Sequence, residues 1–162
     1  MARKERLVPE FYELRVEQLM DKRAWDLPIL EKKDDVSHIL NILGAGNHIW
    51  VVNNKEDKEL MGVITERDVL SILTPKKFSS YVFGMPDIRS IRHGTAKTAK
   101  DIMHHKVISC ESNDKIVDVL NKMTLYKLRR LPVLEDKKII GELTLHQLIR
   151  KYYDATQYHP II

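Results

Sequence analysis

The residues most suggestive of chemistry stand where a predicted strand is followed directly by a helix. In Thr65-Glu66-Arg67-Asp68 a hydroxyl and a carboxylate are three positions apart, the spacing of a capping box that closes a first helical turn. An ionised carboxylate also has two oxygens that could accept the two adjacent hydroxyl groups of a ribose, with Thr65 adding a contact. Spacing alone favours the capping role, because capping boxes are frequent at helix starts.

Two adjacent arginines, Arg129 and Arg130, immediately precede the apolar strand that begins at Leu131. A solvated charge pair at the entry to a strand is the commonest role of such residues. A planar guanidinium group also matches phosphate oxygens with two parallel hydrogen bonds. The pair is therefore a candidate for phosphate recognition.

The sequence contains no arrangement of residues typical of catalysis or of a metal centre. His104 and His105 are adjacent, so in a strand they would point to opposite faces and could not bind one metal ion from there. Cys110 is the single cysteine, and its apolar surroundings predict a buried core position. We therefore expect a protein that is not an enzyme, has no metal and requires no cofactor.

Positive charge is unevenly distributed along the 162 residues, which hold 27 basic and 23 acidic side chains. Residues 74–100 contain six cations and one acid, and removing these leaves 21 basic and 22 acidic residues elsewhere. The same stretch is rich in Ser, Gly, Pro and Thr, which is typical of a linker. A nucleic-acid-associated protein that uses this segment is an alternative, although such proteins usually present a basic face on the folded body.

Neither a membrane span nor a secretory signal is expected. The longest uninterrupted apolar run, residues 49–52, is far shorter than the ~18 residues of a spanning helix. The basic first residues lead into no apolar segment of the kind that secretory signals contain. The prediction is a cytoplasmic protein with no membrane partner.

An internal repeat organises the chain. Four blocks recur further along in the same order: Leu19-Met20 as Ile102-Met103, 36–43 as 116–123, 49–53 as 131–135, and 61–65 as 140–144. The preserved order and spacing make chance a poor explanation.

Each copy is predicted to have the element order β-α-β-β-α. Short first strands are expected at 27–31 and 107–111. Apolar spacing of i, i+3, i+4, i+7 predicts a helix after each of them. The expected caps of these helices are Asp34 or Asp35 in the first copy and Asn113 or Asp114 in the second. The last helices are expected to open at Glu66 and at Leu145.

The fold class predicted from this pattern is α/β of the α+β type. One repeat of ~60 residues buries only about 60% of its surface, so two copies are expected to pack as a pseudo-two-fold pair. An amphipathic helix within residues 10–20 is expected to cover one end. The predicted organisation is an N-terminal segment (1–15), a first repeat (16–73), a basic linker (74–97), a second repeat (98–154) and a tail (155–162).

The element order, the strand Leu131-Pro132-Val133 and the Gly-x-x-Thr-x-x-Asp turn from Gly62 to Asp68 resemble CBS domains. A tandem pair of CBS domains is a Bateman module, and the resemblance covers about residues 16–153. It implies a regulatory protein that binds AMP, ADP, ATP or an S-adenosylmethionine-type ligand in the cleft between repeats. It also implies a homodimer in which four repeats form a flat disc, and an unidentified regulated protein.

The resemblance also implies which residues contact the ligand. Thr65 and Asp68 would hold the ribose. Arg129 and Arg130 would reach the phosphates, as basic residues do in the AMP-activated protein kinase gamma subunit, with His146 as a further phosphate contact. The adenine would lie against Leu27, Pro28, Ile29 and Val63.

A second cleft is expected to bind more weakly. Gln147 stands there in place of the carboxylate, and its amide has one acceptor oxygen and no charge. Asn47 and His48 replace the arginine pair. The residues predicted for this weaker site are Thr144, Gln147, His48, Ile108 and Ser109. The other alternative, a pure interaction subunit with vestigial clefts, is disfavoured by the retention of Asp68 together with the two arginines.

Overall fold

The computed structural model describes residues 9–23, 26–74 and 98–158. The helices within these ranges are α1 (Pro9–Glu13), α2 (Val36–Leu43), α3 (Glu66–Leu73), α4 (Ala99–Ile102), α5 (Ile116–Tyr126) and α6 (Leu145–Tyr158). The strands are β1 (Ile29–Glu31), β2 (His48–Val52), β3 (Leu60–Thr65), β4 (Cys110–Glu111), β5 (Arg130–Glu135) and β6 (Lys138–Thr144). The predicted basic linker lies outside the described residues apart from Thr74.

The chain forms two compact units. The described residues up to Leu27 join those from Ile108 onward in unit 1, and those from Pro28 to Val107 form unit 2. Unit 2 has the sheet order β1-β2-β3, with β1 parallel and β3 antiparallel to β2. Unit 1 repeats this arrangement as β4-β5-β6. The mixed fold class and the order β-α-β-β-α are confirmed in both copies, although the first strands begin later than predicted.

Local hydrogen bonds define the start of α2. Asp35 is its N-cap, and the Asp35 Oδ1 atom accepts the His38 N–H at 3.2 Å. The neighbouring Asp34 closes the turn after β1, because its carboxylate accepts the Glu31 N–H at 2.8 Å. Of the two caps that the sequence left open, Asp35 is therefore the one used.

The predicted cap of the equivalent helix in the second copy is wrong. Lys115 stands at the N-cap of α5 and makes no side-chain capping hydrogen bond. Asp114 is engaged one step earlier, where its carboxylate accepts the Glu111 N–H at 2.8 Å. Asp114 therefore closes the turn after its strand, as Asp34 does in the first copy. Lys115 stands where Asp35 stands in the first copy, and its ammonium group cannot accept a hydrogen bond.

Each unit has its own apolar core. The core of each unit also contains residues from the short segment that leads into the other repeat. Ala99 and Met103 are buried in unit 2 with side chains of the first repeat. Phe11 and Val16 are buried in unit 1 with side chains of the second repeat. The segments that lead into the two repeats are thus exchanged. The helix expected over residues 10–20 consists of α1 and a 3-10 turn at Val16–Gln18.

Two glycines allow the exchanged segments to approach the sheets closely. A Cβ atom on Gly62 would lie 2.7 Å from the carbonyl oxygen of His104, and one on Gly141 would lie 2.7 Å from that of Asp21. The residue after each glycine forms an antiparallel bridge with the same segment: Val63 with His104, and Glu142 with Asp21. The two units therefore hold their segments in the same way.

Among residues 9–23, 26–74 and 98–158, no helix has the length and apolar character needed to cross a membrane. Across the same ranges, no three His, Cys, Asp or Glu side chains are grouped so that they could hold a metal ion.

Candidate functional site

Asp68 lies in the first turn of α3, directly after β3. Its Oδ2 atom accepts the Thr65 N–H at 2.7 Å and the Thr65 hydroxyl at 3.2 Å. The carboxylate is largely enclosed, with 12% of the side chain exposed. The capping hydrogen bond predicted from the spacing is therefore present, and it uses one of the two carboxylate oxygens.

The other oxygen of Asp68 contacts an imidazole that the sequence did not suggest. His104 Nε2 lies 2.6 Å from Asp68 Oδ1, and 66% of the His104 side chain is exposed. A carboxylate only accepts hydrogen bonds, so the imidazole is the donor. In the sequence, His104 was discussed only as a possible metal ligand together with His105. The recurrence of Leu19-Met20 as Ile102-Met103 was the available signal, since it places His104 directly after a repeated block, although it does not show that this block packs with the other repeat.

Unit 1 has the same helix start with a neutral side chain. Gln147 Oε1 accepts the Thr144 N–H at 2.9 Å, and Thr144 Oγ1 accepts the Gln147 N–H at 3.2 Å. The capping box is complete, as expected for glutamine at this position. Asp21 occupies the place of His104 in the exchanged segment, and its carboxylate is hydrogen-bonded to the Arg23 side chain.

The residues predicted to bind phosphate all belong to unit 1. Arg129 is exposed, and its carbonyl oxygen accepts the Leu145 N–H at 2.7 Å. Arg130 begins β5 and lies 3.7 Å from Glu142, with 27% of its side chain exposed. His146 is exposed at the second position of α6. Thr65 and Asp68 belong to unit 2, so the convergence of the two sets on one ligand stays a prediction.

The residues predicted to contact adenine surround β1 and β3. Leu27, Pro28 and Ile29 are all partly buried. The Pro28 carbonyl oxygen accepts the Trp50 N–H at 2.8 Å, which ties this end of β1 to β2. Val63 is also partly buried, and its N–H and carbonyl groups are both bonded to the backbone of His104. These positions thus have structural roles whether or not they contact a ligand.

The residues of the predicted weaker site are distributed between the units. His48 is buried in β2 with 7% exposure, and its ring packs edge-on against Trp50 at a centroid distance of 5.1 Å. Ile108 and Ser109 are partly buried in unit 1, and the Ser109 carbonyl accepts the Lys122 ammonium at 2.9 Å. A buried, packed histidine at position 48 is a poorer candidate for a phosphate contact than an exposed arginine.

The fold defines a tandem-repeat protein of the α+β class, built from two copies of one β-α-β-β-α unit. The family model "CBS domain" matches residues 16–75 and 99–154, most of the chain. The protein belongs to the CBS domain family, and the resemblance seen in the sequence is confirmed.

Curated relatives are similar over part of their own length. The uncharacterized protein YlbB of Bacillus subtilis (strain 168) is 28% identical over 97 residues, covering 60% of this chain and 55% of that protein. The mitochondrial CBS domain-containing protein CBSX3 of Arabidopsis thaliana is 29% identical over 100 residues, covering 62% and 43%. The chain thus spans about half the length of the curated relatives it matches.

Solved structures show the same fold over most of the chain. CBSX2 of Arabidopsis thaliana, in complex with AMP, superposes with a TM-score of 0.70 at 21% identity, covering 88% of this chain and 98% of that one. The CBS domain pair of protein MJ0100, in complex with 5′-methylthioadenosine and S-adenosyl-L-methionine, has a TM-score of 0.62 at 22% identity, covering 87% and 97%. At these identities the likeness establishes the fold.

Proposed function

We propose that the protein is a Bateman module that senses an adenosine derivative, such as AMP, ADP, ATP or S-adenosylmethionine, through Thr65 and Asp68. The observation that carries the proposal is the Asp68 carboxylate, which is enclosed by the fold while one oxygen faces an exposed side chain. Membership of the CBS domain family supports it. The adenosine ligands in the CBSX2 and MJ0100 structures support it as well.

The two oxygens of Asp68 suit a ribose better than the amide of Gln147 does. A ribose diol donates two hydrogen bonds, and the Asp68 Oδ1 atom can accept one without disturbing the bond from the Thr65 N–H to Oδ2. In unit 1 the single amide oxygen of Gln147 is already used by the Thr144 N–H. We therefore place the stronger site at Asp68, and the weaker at Thr144 and Gln147.

Arg129, Arg130 and His146 would contribute to phosphate binding. Arg129 and His146 are exposed, and Arg130 is partly exposed beside Glu142, which keeps its guanidinium at the start of β5. Charge-assisted bonds from guanidinium to phosphate are strong and directional. Replacing Arg130 should therefore weaken AMP and ATP binding more than 5′-methylthioadenosine binding, because the last ligand has no phosphate.

The proposed mechanism involves no covalent chemistry. A ligand shifts a conformational equilibrium only by as much as its affinities for the two states differ. An adenosine derivative that binds one arrangement of the protein more tightly would thereby change how an unidentified partner is bound.

Replacing Asp68 tests the proposal. Hydrogen bonds to charged groups contribute about 1.5–3 kcal/mol each, so Asp68→Ala should weaken ligand binding roughly ten- to a hundredfold, and Asp68→Asn should fall between. A thermal-shift screen of AMP, ADP, ATP, S-adenosylmethionine and 5′-methylthioadenosine selects ligands, and calorimetry measures their affinities.

Gln147→Ala is the matched control, because it removes the equivalent capping bond from the other unit and should leave the strong site intact. If Gln147→Ala abolishes binding while Asp68→Ala does not, the site is misplaced. Absence of stabilisation by every ligand would instead favour a module with vestigial clefts.

The homodimer is a further part of the proposal, supported by apolar side chains at equivalent helices of both repeats. Leu70 and Leu73 on α3 are 61% and 65% exposed, and Ile149 and Tyr153 on α6 are 56% and 61% exposed. In unit 2, Leu73 also lines a groove of about 260 Å³ between α2 and α3. A second copy would cover such repeated faces symmetrically. Light scattering should give about twice the 19.0 kDa of one chain, and Leu70→Glu should yield monomers.

A further inference from the structure

The contact between His104 and Asp68 uses the carboxylate oxygen that the proposed ribose would need. Oδ2 of Asp68 is engaged by Thr65, so Oδ1 is the acceptor left for a ligand, and His104 Nε2 lies 2.6 Å from it. One oxygen can accept a second hydrogen bond, but an exposed imidazole at this distance also fills the space in front of it. The imidazole and a ribose hydroxyl therefore compete for one position.

The backbone of His104 is fixed while its ring is exposed. The His104 N–H donates to the Val63 carbonyl at 2.9 Å, and the Val63 N–H donates to the His104 carbonyl at 3.1 Å. Met103 is buried beside it with 6% exposure. The ring, with 66% of the side chain exposed, can rotate into solvent without moving the segment. Displacement of the ring therefore needs only a change of rotamer.

Asp68 is the charged side chain that pairs with His104. Within the described ranges, no other ion pair of His104 is shorter than 4.0 Å. Strand β3, against which the segment packs, has no ionisable side chain. Within the described residues, the remaining ionisable groups form no ion pair with His104: Glu66 and Arg67 of α3, Lys32, Lys33, Asp34 and Asp35 of the turn after β1, and Lys100, Asp101, His105 and Lys106 of its own segment. Among the described residues, the Asp68 carboxylate is thus the charged group whose interaction with His104 depends most on the protonation of the ring.

We infer that His104 competes with the ribose for Asp68, and that the protonation of His104 sets how strongly it competes. The inference rests on the proposed function. A protonated imidazole is held by the carboxylate as an ion pair, whereas a neutral imidazole is held by a hydrogen bond alone. Displacing the protonated ring is harder, so ligand affinity should fall as the pH falls, and binding should release protons wherever the affinity depends on pH. His104 is in this sense a residue that tunes ligand affinity and does not itself bind the ligand.

Unit 1 lacks this device. Asp21 stands at the equivalent position, and its carboxylate is bonded to Arg23. An acid cannot cover a neighbouring acceptor in the way that an imidazole does, because an ionised carboxylate has no proton to donate. The pH dependence should therefore belong to the Asp68 site alone.

Calorimetry with 5′-methylthioadenosine tests the inference, since this probe has a ribose but no phosphate group to titrate near pH 6. For the wild-type protein, affinity should rise about two- to fivefold between about pH 5.5 and 8, the range expected for an exposed ion pair with a histidine. Within the range where the affinity changes with pH, titrations in two buffers of different ionisation enthalpy should show proton release.

Three variants isolate the role of the ring. His104→Gln keeps a donor without a titrating group, so its affinity should not depend on pH over this range. His104→Ala should bind a few-fold more tightly than wild type at low pH, also without pH dependence. His105→Ala is the matched control and should retain the wild-type slope.

Weaker binding by His104→Ala would overturn the inference, because it would make His104 a ligand contact. A wild-type pH slope in His104→Gln would overturn it too. If Asp68→Ala weakens binding while the His104 variants behave as wild type, only this inference fails. If 5′-methylthioadenosine does not bind, or Asp68→Ala binds it as wild type does, the proposed site fails and the inference with it.

Discussion

At the start of the last helix of each repeat, unit 2 carries Asp68 and unit 1 carries Gln147. Both side chains accept the backbone N–H of the preceding threonine, at 2.7 and 2.9 Å. The fold therefore requires an acceptor here and tolerates either residue. What differs is the atom left over: a second carboxylate oxygen in unit 2 and an amide NH2 group in unit 1. The comparison separates the requirement of the fold from that of the proposed ligand.

The exchanged segments show the same separation. His104 and Asp21 occupy equivalent places and form the same antiparallel bridge, each opposite the residue that follows a glycine of the sheet. Their side chains nevertheless face different partners, Asp68 for one and Arg23 for the other. Backbone geometry is thus common to both units, whereas the chemistry of the side chains belongs to one.

The largest expected effect comes from the central strands. Ile49 in β2 and Leu131 in β5 are fully buried in separate cores. Truncating either to alanine should lower the free energy of unfolding by about 2–5 kcal/mol. Urea unfolding measures this loss, and we expect each variant to affect mainly the probe in its own unit.

Two native residues serve as those probes. Trp50 is buried in unit 2, and its fluorescence can be read in a Trp25→Phe background. Cys110 is buried in unit 1, where burial raises the pKa of its thiol to about 12, so a thiol reagent should react only when unit 1 opens. Equal shifts of both probes in both variants would show that the units unfold as one.

An intermediate effect is expected where the exchanged segments meet the sheets. Gly62→Ala would place a methyl group 2.7 Å from the His104 carbonyl oxygen and 2.7 Å from Met103 Sδ, and Gly141→Ala would place one 2.7 Å from the Asp21 carbonyl oxygen. Each should cost about 1–3 kcal/mol in thermal or urea unfolding, as overpacking usually does. Gly62→Ala should cost more, because two neighbours must move.

Gly46→Ala is the control for this pair, since its nearest contact would be an ordinary 3.5 Å. Stability losses no larger than those of Gly46→Ala would contradict the close approach of the segments.

The smallest expected effect concerns Asp21, the counterpart of His104. The hydrogen bond from the Arg23 side chain holds the pKa of Asp21 below its ordinary value. Because the pKa of Asp21 is lowered, the ion pair stabilises the folded protein at pH values above the ordinary aspartate pKa. This stabilisation is lost as the pH falls through the lowered pKa of the folded state. Arg23→Ala should therefore lower the free energy of unfolding only slightly at neutral pH, because the pair is exposed.

That difference should shrink as the pH falls below the ordinary range of an aspartate, and it should vanish once the Asp21 carboxylate of the folded protein is protonated. Lys22→Ala removes a neighbouring cation and should match wild type at every pH. A loss that persists in acid would mean that Arg23 acts through packing and not through the carboxylate of Asp21.

Much of the fold could be predicted because it depends on local pattern. The apolar spacing of residues 36–43 matches α2 residue for residue, and the helix that opens at Glu66 follows from the four-residue capping box 65–68. The prediction for the N-cap of α5 is wrong, because the cap is Lys115. Two polar residues, Asn113 and Asp114, offered acceptors there, and local sequence does not show that Asp114 is taken by the Glu111 N–H.

The site could be predicted only in part, for a related reason. Thr65 and Asp68 are neighbours in sequence, so their hydrogen bond follows from spacing. His104 is 36 residues from Asp68, and it reaches the carboxylate because a segment that leads into the second repeat packs with the first. That contact depends on tertiary exchange, which no periodicity encodes. The glycine at 62 was read as part of a turn motif, whereas it also provides the space for this segment.

The exchange of leading segments has a consequence for the duplication itself. A chain with a single repeat could complete its core in this way only by taking a segment from another molecule, and its folding would then depend on protein concentration. In the duplicated chain both segments are covalently joined to the units that they complete, so each meets its docking site at an effective concentration that dilution does not change. Residues 98–103 and 11–16 therefore find their places by an intramolecular step, and each unit can assemble at any dilution.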